Sequence, residues 1–212
     1  MELRQLAKDV MNAPFTRHVM LDLLKGYSRP NDKISELLRN GELVAVKRGL
    51  YIPGHTTGLP LPEPFVVANH LWGPSYVSME SALSYWGAIP EQVFEVSSAT
   101  LKNSKTYRTP IGRFSYQHLP FPYYSFGITR ASFSAQQAAL IASLEKALCD
   151  KIALTPGIVL RSIKQTAALL LEDLRIDGEV LKRVDLARIH SWVNDAPKKS
   201  SIRMLIKTID HL

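Results

Sequence analysis

Apolar positions in the first quarter of the chain recur at helical spacing. Phe15, Val19, Leu23 and Leu24 share one face, and Gly26 stands where a C-terminal cap is expected. Ser28-Arg29-Pro30 interrupts the run. Pro30 suits the first turn of a second helix over 30–40, and Asp32 complements that helix's dipole. Ile34, Leu37 and Leu38 mark its inward side, and Asn40-Gly41 stops it. Leu43–Val46 and Leu50–Ile52 then read as two short strands joined by Lys47-Arg48-Gly49, with Pro53-Gly54 ending the hairpin. The opening segment, MELRQLAKDV, offers a leading helix.

The pattern changes after the hairpin. Residues 55–64 hold three prolines and a glycine among few hydrophobics, which marks a boundary. FVVANHLW predicts a helix, and SYVSMESALSYWG a strand edge running into a helix that ends at Gly87. VFEVSSAT is strand-like through its β-branched residues. RFSYQHLP and YYSFGITR alternate as strands, with the Pro-Phe-Pro of 120–122 as the turn between them. From Ser134 a helix is expected, its stripe formed by Leu140, Ile141, Leu144, Leu148 and Ile152. Beyond Thr155-Pro156-Gly157 the chain reads as all-helical. Ile163, Ala167, Leu170, Leu171 and Leu174 make one face, Asp177-Gly178 breaks it, and VDLARIHSWV makes another helix. A final amphipathic helix carries Ile202, Leu205, Ile206, Ile209 and Leu212.

Two helices followed by a basic-tipped hairpin is the order of a winged helix-turn-helix. The expected fold class is therefore α+β: a winged helix-turn-helix over residues 1–55, then a domain over 63–212. That second domain is mixed α/β to about residue 155 and a helical tail over 158–212. The net charge of +7 and a pI near 9.5 suit a polyanionic partner. The surplus is spread, however: residues 1–55 hold 9 Lys/Arg against 6 Asp/Glu, and residues 158–212 hold 10 against 7. Charge alone is a weak argument for nucleic acid. Cys149 is the one cysteine, which rules out an intramolecular disulfide and fits a reducing compartment. The charged N-terminus lacks a signal peptide's apolar core, and no run reaches the roughly 18 apolar residues of a membrane span. A cytoplasmic protein with no membrane partner is expected.

On the second helix, Arg29, Asp32, Glu36 and Arg39 face outward, with Lys33 and Ser35 on the flanks. Arg29, Lys33 and Arg39 are candidates for phosphate or guanine contacts, against the plainer reading of a solvated face of charge pairs. Lys47 and Arg48 at the hairpin tip are the stronger candidates, because a tight basic turn reaches backbone phosphate. No catalytic, metal or cofactor residues stand out. The six histidines form no HxxxH pair, and there is no GxGxxG or Walker loop. Glu80, Glu95, Lys102 and Lys105 carry the competing expectation of a metal-dependent nuclease or RNA-processing factor with an accessory winged helix. A third expectation is an interaction module dimerising through the helical tail. Tyr76, Ser78, Glu80, Ser81 and Tyr85 cluster at a strand-to-helix joint, where Ser78 either caps the helix or belongs to a polar recognition surface. Cys149 reads as a partly buried structural thiol.

Four blocks in order, GELVAVKRGLY (41–51), GPSYVSMESALSYWGAIPE (73–91), TPIGRFSYQHL (109–119) and EKALCD (145–150), resemble the AbiEi family of antitoxin-type transcriptional regulators. The resemblance covers roughly residues 15–155; the tail from 158 carries no family signature. It implies a winged helix that represses its own operon and a C-terminal domain needed to counteract a nucleotidyltransferase toxin, AbiEii, without a stable complex between the two. It also implies DNA contact through Arg29, Lys33, Arg39, Lys47 and Arg48; the expected partner is double-stranded promoter DNA, with two copies on inverted repeats because winged-helix regulators often need paired half-sites. Asp32 and Glu36 depart from a purely basic reading face and would lower affinity or impose base choice through cytosine amino groups.

Overall fold

The computed structural model describes residues 13–91 and 93–212. The leading helix expected over MELRQLAKDV lies outside them. Among the described residues the fold is mixed α+β, with nine α-helices and two sheets. No helix among them is long and apolar enough to cross a membrane.

The first sheet has three strands in the order β1-β3-β2: Phe15–Thr16, Leu50–Pro53 and Leu43–Lys47, all antiparallel. Helices α1 (Arg17–Leu23) and α2 (Pro30–Arg39) precede the β2–β3 hairpin. Phe15 was expected on the first helix. It instead pairs with Tyr51 as a strand, and the helix begins only at Arg17, where the Thr16 hydroxyl accepts the Val19 N–H at 3.4 Å. Helix α2 follows its signals: Pro30 in the first turn, Asp32 on the dipole, Arg39 in the last turn and Gly41 at φ +71 beyond the end. Gly54 is confined there by packing, since a Cβ would sit 1.9 Å from the Gly41 carbonyl oxygen.

The hairpin's period of two divides its side chains between two cores. Tyr51 and Leu43 turn to a small cluster with Phe15, Met20, Leu24, Ile34 and Leu37. Val46, Leu50 and Ile52 turn the other way, into the large core of the remaining chain. The small sheet is therefore covered on both faces.

The second sheet has six strands in the order β6-β7-β5-β4-β9-β8. These are Lys105–Thr109, Gly112–His118, Glu95–Thr100, Ser75–Val77, Ala138–Ala142 and Ile128–Ser132. Strands β5 and β7 run parallel, as do β4 and β9; the other pairs are antiparallel. Helix α3 (Pro64–Leu71) covers one face, where the Tyr116 hydroxyl donates to the Ala68 carbonyl at 2.7 Å. Helices α4 (Met79–Tyr85) and α5 (Leu144–Leu154) cover the other, where Tyr76 reaches Asp150 and Ser97 reaches Ser81.

Residues 138–142, expected in a helix, form β9. Ala139 and Ile141 are buried while Leu140 is half exposed, and the Asn69 side chain grips the Leu140 backbone, its Oδ1 accepting the Leu140 N–H at 2.6 Å. The helix starts instead at Leu144, capped by Ser143. YYSFGITR is likewise only partly a strand, because Tyr123–Ser125 form a 3-10 turn before β8. Strand β6 carried no sequence expectation.

Helices α6 (Ile163–Ala167), α7 (Gly178–Leu181), α8 (Leu186–Trp192) and α9 (Lys199–Ile209) complete the chain. A π-turn over Ala168–Asp173 breaks the helix expected there, so Leu170 is buried but Leu171 is not. On α9, Ile202, Leu205, Ile206 and Ile209 are buried in the large core. That stripe is covered by its own chain; Leu212 lies exposed beyond it.

At the centre, Lys146 and Asp150 of α5 are both wholly buried. The ammonium lies 3.0 Å from Asp150 Oδ1, donates to the Tyr123 carbonyl at 2.9 Å and sits 3.1 Å from the centroid of the Tyr123 ring. Asp150 Oδ2 accepts from the Tyr76 hydroxyl at 2.9 Å and from Ser78 at 2.7 Å. Burial pushes the Lys146 pKa down while Asp150 opposes the shift. Gly127 is required beside it, because a Cβ would lie 2.7 Å from Lys146 Cβ. Cys149 is completely buried, and burial pushes its thiol up to about 12.

Two outcomes follow. Lys146→Met leaves the Asp150 charge without its counter-ion and is expected to destabilise the fold by about 3–5 kcal/mol; adding Asp150→Asn should recover part of that loss, read from urea unfolding midpoints. Cys149 should react with iodoacetamide only when denaturant opens the core; rapid native-state alkylation would contradict its burial.

Candidate nucleic-acid interface

The five residues expected to meet DNA differ in how free they are. Arg29 is 83% exposed and only loosely paired with Asp32, at 3.8 Å. Arg39 is exposed and, among the described residues, has no ion-pair partner. Lys33 is held: its ammonium donates to Glu36 at 2.6 Å and lies 5.6 Å from the Tyr27 ring centroid, leaving the side chain 21% exposed. The hydrogen bond to Glu36 raises its pKa. The two carboxylates on this face thus pair with neighbours one helical turn away, three residues along.

Lys47 and Arg48 adjoin at the hairpin tip but part company. Lys47 turns inward and donates to the Leu71 carbonyl oxygen, at the last residue of α3. That oxygen is among the carbonyls a helix end leaves unpaired, at the negative end of its dipole. Burial first, then the charges of Lys102 and Lys105, hold the Lys47 pKa below its usual range. Arg48 is exposed. Gly49, at φ +80, turns the chain, and its carbonyl accepts the Arg17 N–H at 2.9 Å.

Arg17 is the residue sequence reasoning missed. It opens α1, lies exposed, and its guanidinium donates to Asn31 Oδ1 at 3.0 Å. It therefore links the hairpin tip to the first turn of α2. The available signal was Thr16 as a cap, which would have started the helix at Arg17 rather than at Phe15.

The competing constellation does not gather. Glu80 and Glu95 do line one open cleft of about 290 Å³ with Ser97, Ser115 and Gln117. Each is paired with its own cation, Glu80 with Lys151 and Glu95 with Arg113, the latter at 2.6 Å. Lys102 and Lys105 lie beyond the opposite end of β5, over Trp72. Among the described residues, no group of three or more His, Cys, Asp or Glu side chains is placed to hold a metal ion. The cluster at the β4–α4 joint is mostly interior. Tyr76, Ser78 and Ser81 are buried, so they form no recognition surface, and Ser78 does not cap α4 but donates to Asp150. Met79, at φ +53, makes the turn.

Comparison with known proteins leaves this interface to be judged on its own geometry: no family model matches the chain, and no curated protein matches it.

Proposed function

We propose that the chain is a DNA-binding regulator of the AbiEi kind, which represses its own toxin–antitoxin operon and counteracts a nucleotidyltransferase toxin. The α1–α2 pair and the β2–β3 hairpin serve as a winged helix-turn-helix, with two copies on inverted repeats of the promoter. One observation carries this reading: Arg17 joins the Gly49 carbonyl to Asn31, so the hairpin tip, the start of α1 and the first turn of α2 form one connected basic edge. Arg17, Arg29 and Arg48 are its exposed cations. The acidic residues on α2 count against it less than their number suggests, since Asp32 and Glu36 are each matched by a neighbouring cation. The antitoxin role rests on the resemblance of the blocks at 41–51, 73–91, 109–119 and 145–150.

Binding to the DNA upstream of this reading frame tests the first part. Arg48→Ala and Arg17→Ala are each expected to lower the slope of log affinity against log salt by about 0.9. Lys33→Ala, already tied to Glu36, should leave the slope unchanged. Equal affinity and slope for wild type and an Arg17→Ala/Arg48→Ala double variant would refute the interface. For the second part, co-expression with a nucleotidyltransferase encoded beside this gene should restore growth that the toxin alone arrests. No rescue by the full chain would remove the antitoxin role and leave the DNA-binding one.

A further inference from the structure

We infer that a second phosphate-contacting patch, built by Lys102 and Lys105 around Trp72, continues the hairpin edge onto the six-stranded sheet and holds the backbone of the same duplex. This inference rests on the DNA-binding reading above. Trp72 follows α3, and its indole N–H donates to the Asn103 carbonyl at 3.2 Å, which fixes the ring against the β5–β6 turn. The Lys102 and Lys105 ammonium groups each lie 4.8 Å from the Trp72 ring centroid, and Lys105 is also 4.8 Å from that of Tyr107. Both lysines are exposed. Lys47 stands behind them, close enough for the three charges to repel one another. Among the described residues, no carboxylate forms an ion pair with any of the three.

Such an arrangement is costly to leave alone. Like charges gather, and the attraction of an indole face offsets only part of their repulsion. Lys33 on α2 and Arg29 at its N-cap each have an acid for partner, whereas this cluster has none. A polyanion supplies the missing charge. Lys47 also neutralises the negative end of α3 through the Leu71 carbonyl, so the helix does not repel a phosphate arriving there. The patch adjoins the tip directly, because Lys47 and Arg48 are consecutive. The occupant is a phosphodiester backbone rather than an unstacked base. A base stacking on Trp72 would need the ring that the two ammonium groups already overlie.

The test uses the full chain and a mixed-sequence duplex oligonucleotide, with affinity followed by fluorescence anisotropy across a salt series. Lys102→Ala/Lys105→Ala is expected to lower the slope of log affinity against log salt by about 1.8, near 0.9 for each phosphate contact. Lys102→Arg/Lys105→Arg should restore it, and the melting temperature should match wild type because both side chains are exposed. If Arg48→Ala lowers the slope while the double lysine variant keeps that of wild type, the patch is wrong and the hairpin reading stands. If wild type shows no salt-dependent duplex binding, the DNA reading fails and the patch falls with it. Tighter binding of a single-stranded oligonucleotide, lost in a folded Trp72→Ala variant, would overturn the assignment to duplex backbone.

Discussion

A buried ammonium group tolerates few surroundings, and Lys146 organises much of the large domain through that requirement. Its desolvation is offset only while Asp150, the Tyr123 carbonyl and the Tyr123 ring all stay in place. Asp150 in turn needs the hydroxyls of Tyr76 and Ser78, which come from β4 and the joint that follows it. One charge pair on α5 therefore fixes that helix against the central strand and against the 3-10 turn before β8. Gly127 belongs to the same constraint, since any side chain there would displace Lys146 or Trp192. Much of the polar character of SYVSMES serves this interior network and is turned away from solvent.

The same logic of covering what cannot stay exposed explains the hairpin. A free-standing hairpin has at least one face to solvent, but here β2 and β3 lie between two apolar clusters. Each fully buried Leu or Ile is worth about 1.5–3 kcal/mol, so Leu50 and Ile52 bind the hairpin to the larger domain strongly. Lys47 follows the backbone into that contact and ends on the Leu71 carbonyl. Docking the hairpin removes one candidate cation from the tip. It also brings the tip to the turn that carries Lys102 and Lys105.

Most elements were legible in the sequence where a local signal and the tertiary environment agree. Pro30, Asp32 and Asn40-Gly41 bracket α2 as they should, and the Lys47-Arg48-Gly49 turn forms where it was expected. The failures have a common cause. Phe15 fits a helical face, yet pairing with Tyr51 completes a sheet that no local pattern announces. Ala138–Ala142 has the apolar run of a helix, but β4 and β8 need a strand between them, and Asn69, some seventy residues earlier, supplies the clamp. Site residues obey the same rule. Lys47 and Arg48 are equivalent as letters, and only the position of α3 separates them. Trp72 lies thirty residues before Lys102 in the chain, so no local window could have joined it to Lys102 and Lys105.

These pairings change what the net charge of +7 means. On α2, Arg29 and Lys33 are offset by acids; in the large domain, Arg113, Lys151 and Arg175 are too. In the tail, Lys182 and Arg188 each have an acid for partner. Paired charges at the surface contribute little field beyond a Debye length of about 8–10 Å. What is left to act at range, among the described residues, is the set of cations without acids: some are scattered, as Arg39, Arg130, Arg161, Lys164, Arg203 and Lys207 are, and others meet at the hairpin edge and around Trp72. The even spread of charge along the chain, which made the composition a weak argument for a nucleic-acid partner, persists over much of the surface, and the edge where unpaired cations meet is a local departure from it. Folding brings unpaired cations from three separate segments, Arg17, Arg48 and the pair Lys102 and Lys105, to neighbouring parts of the surface.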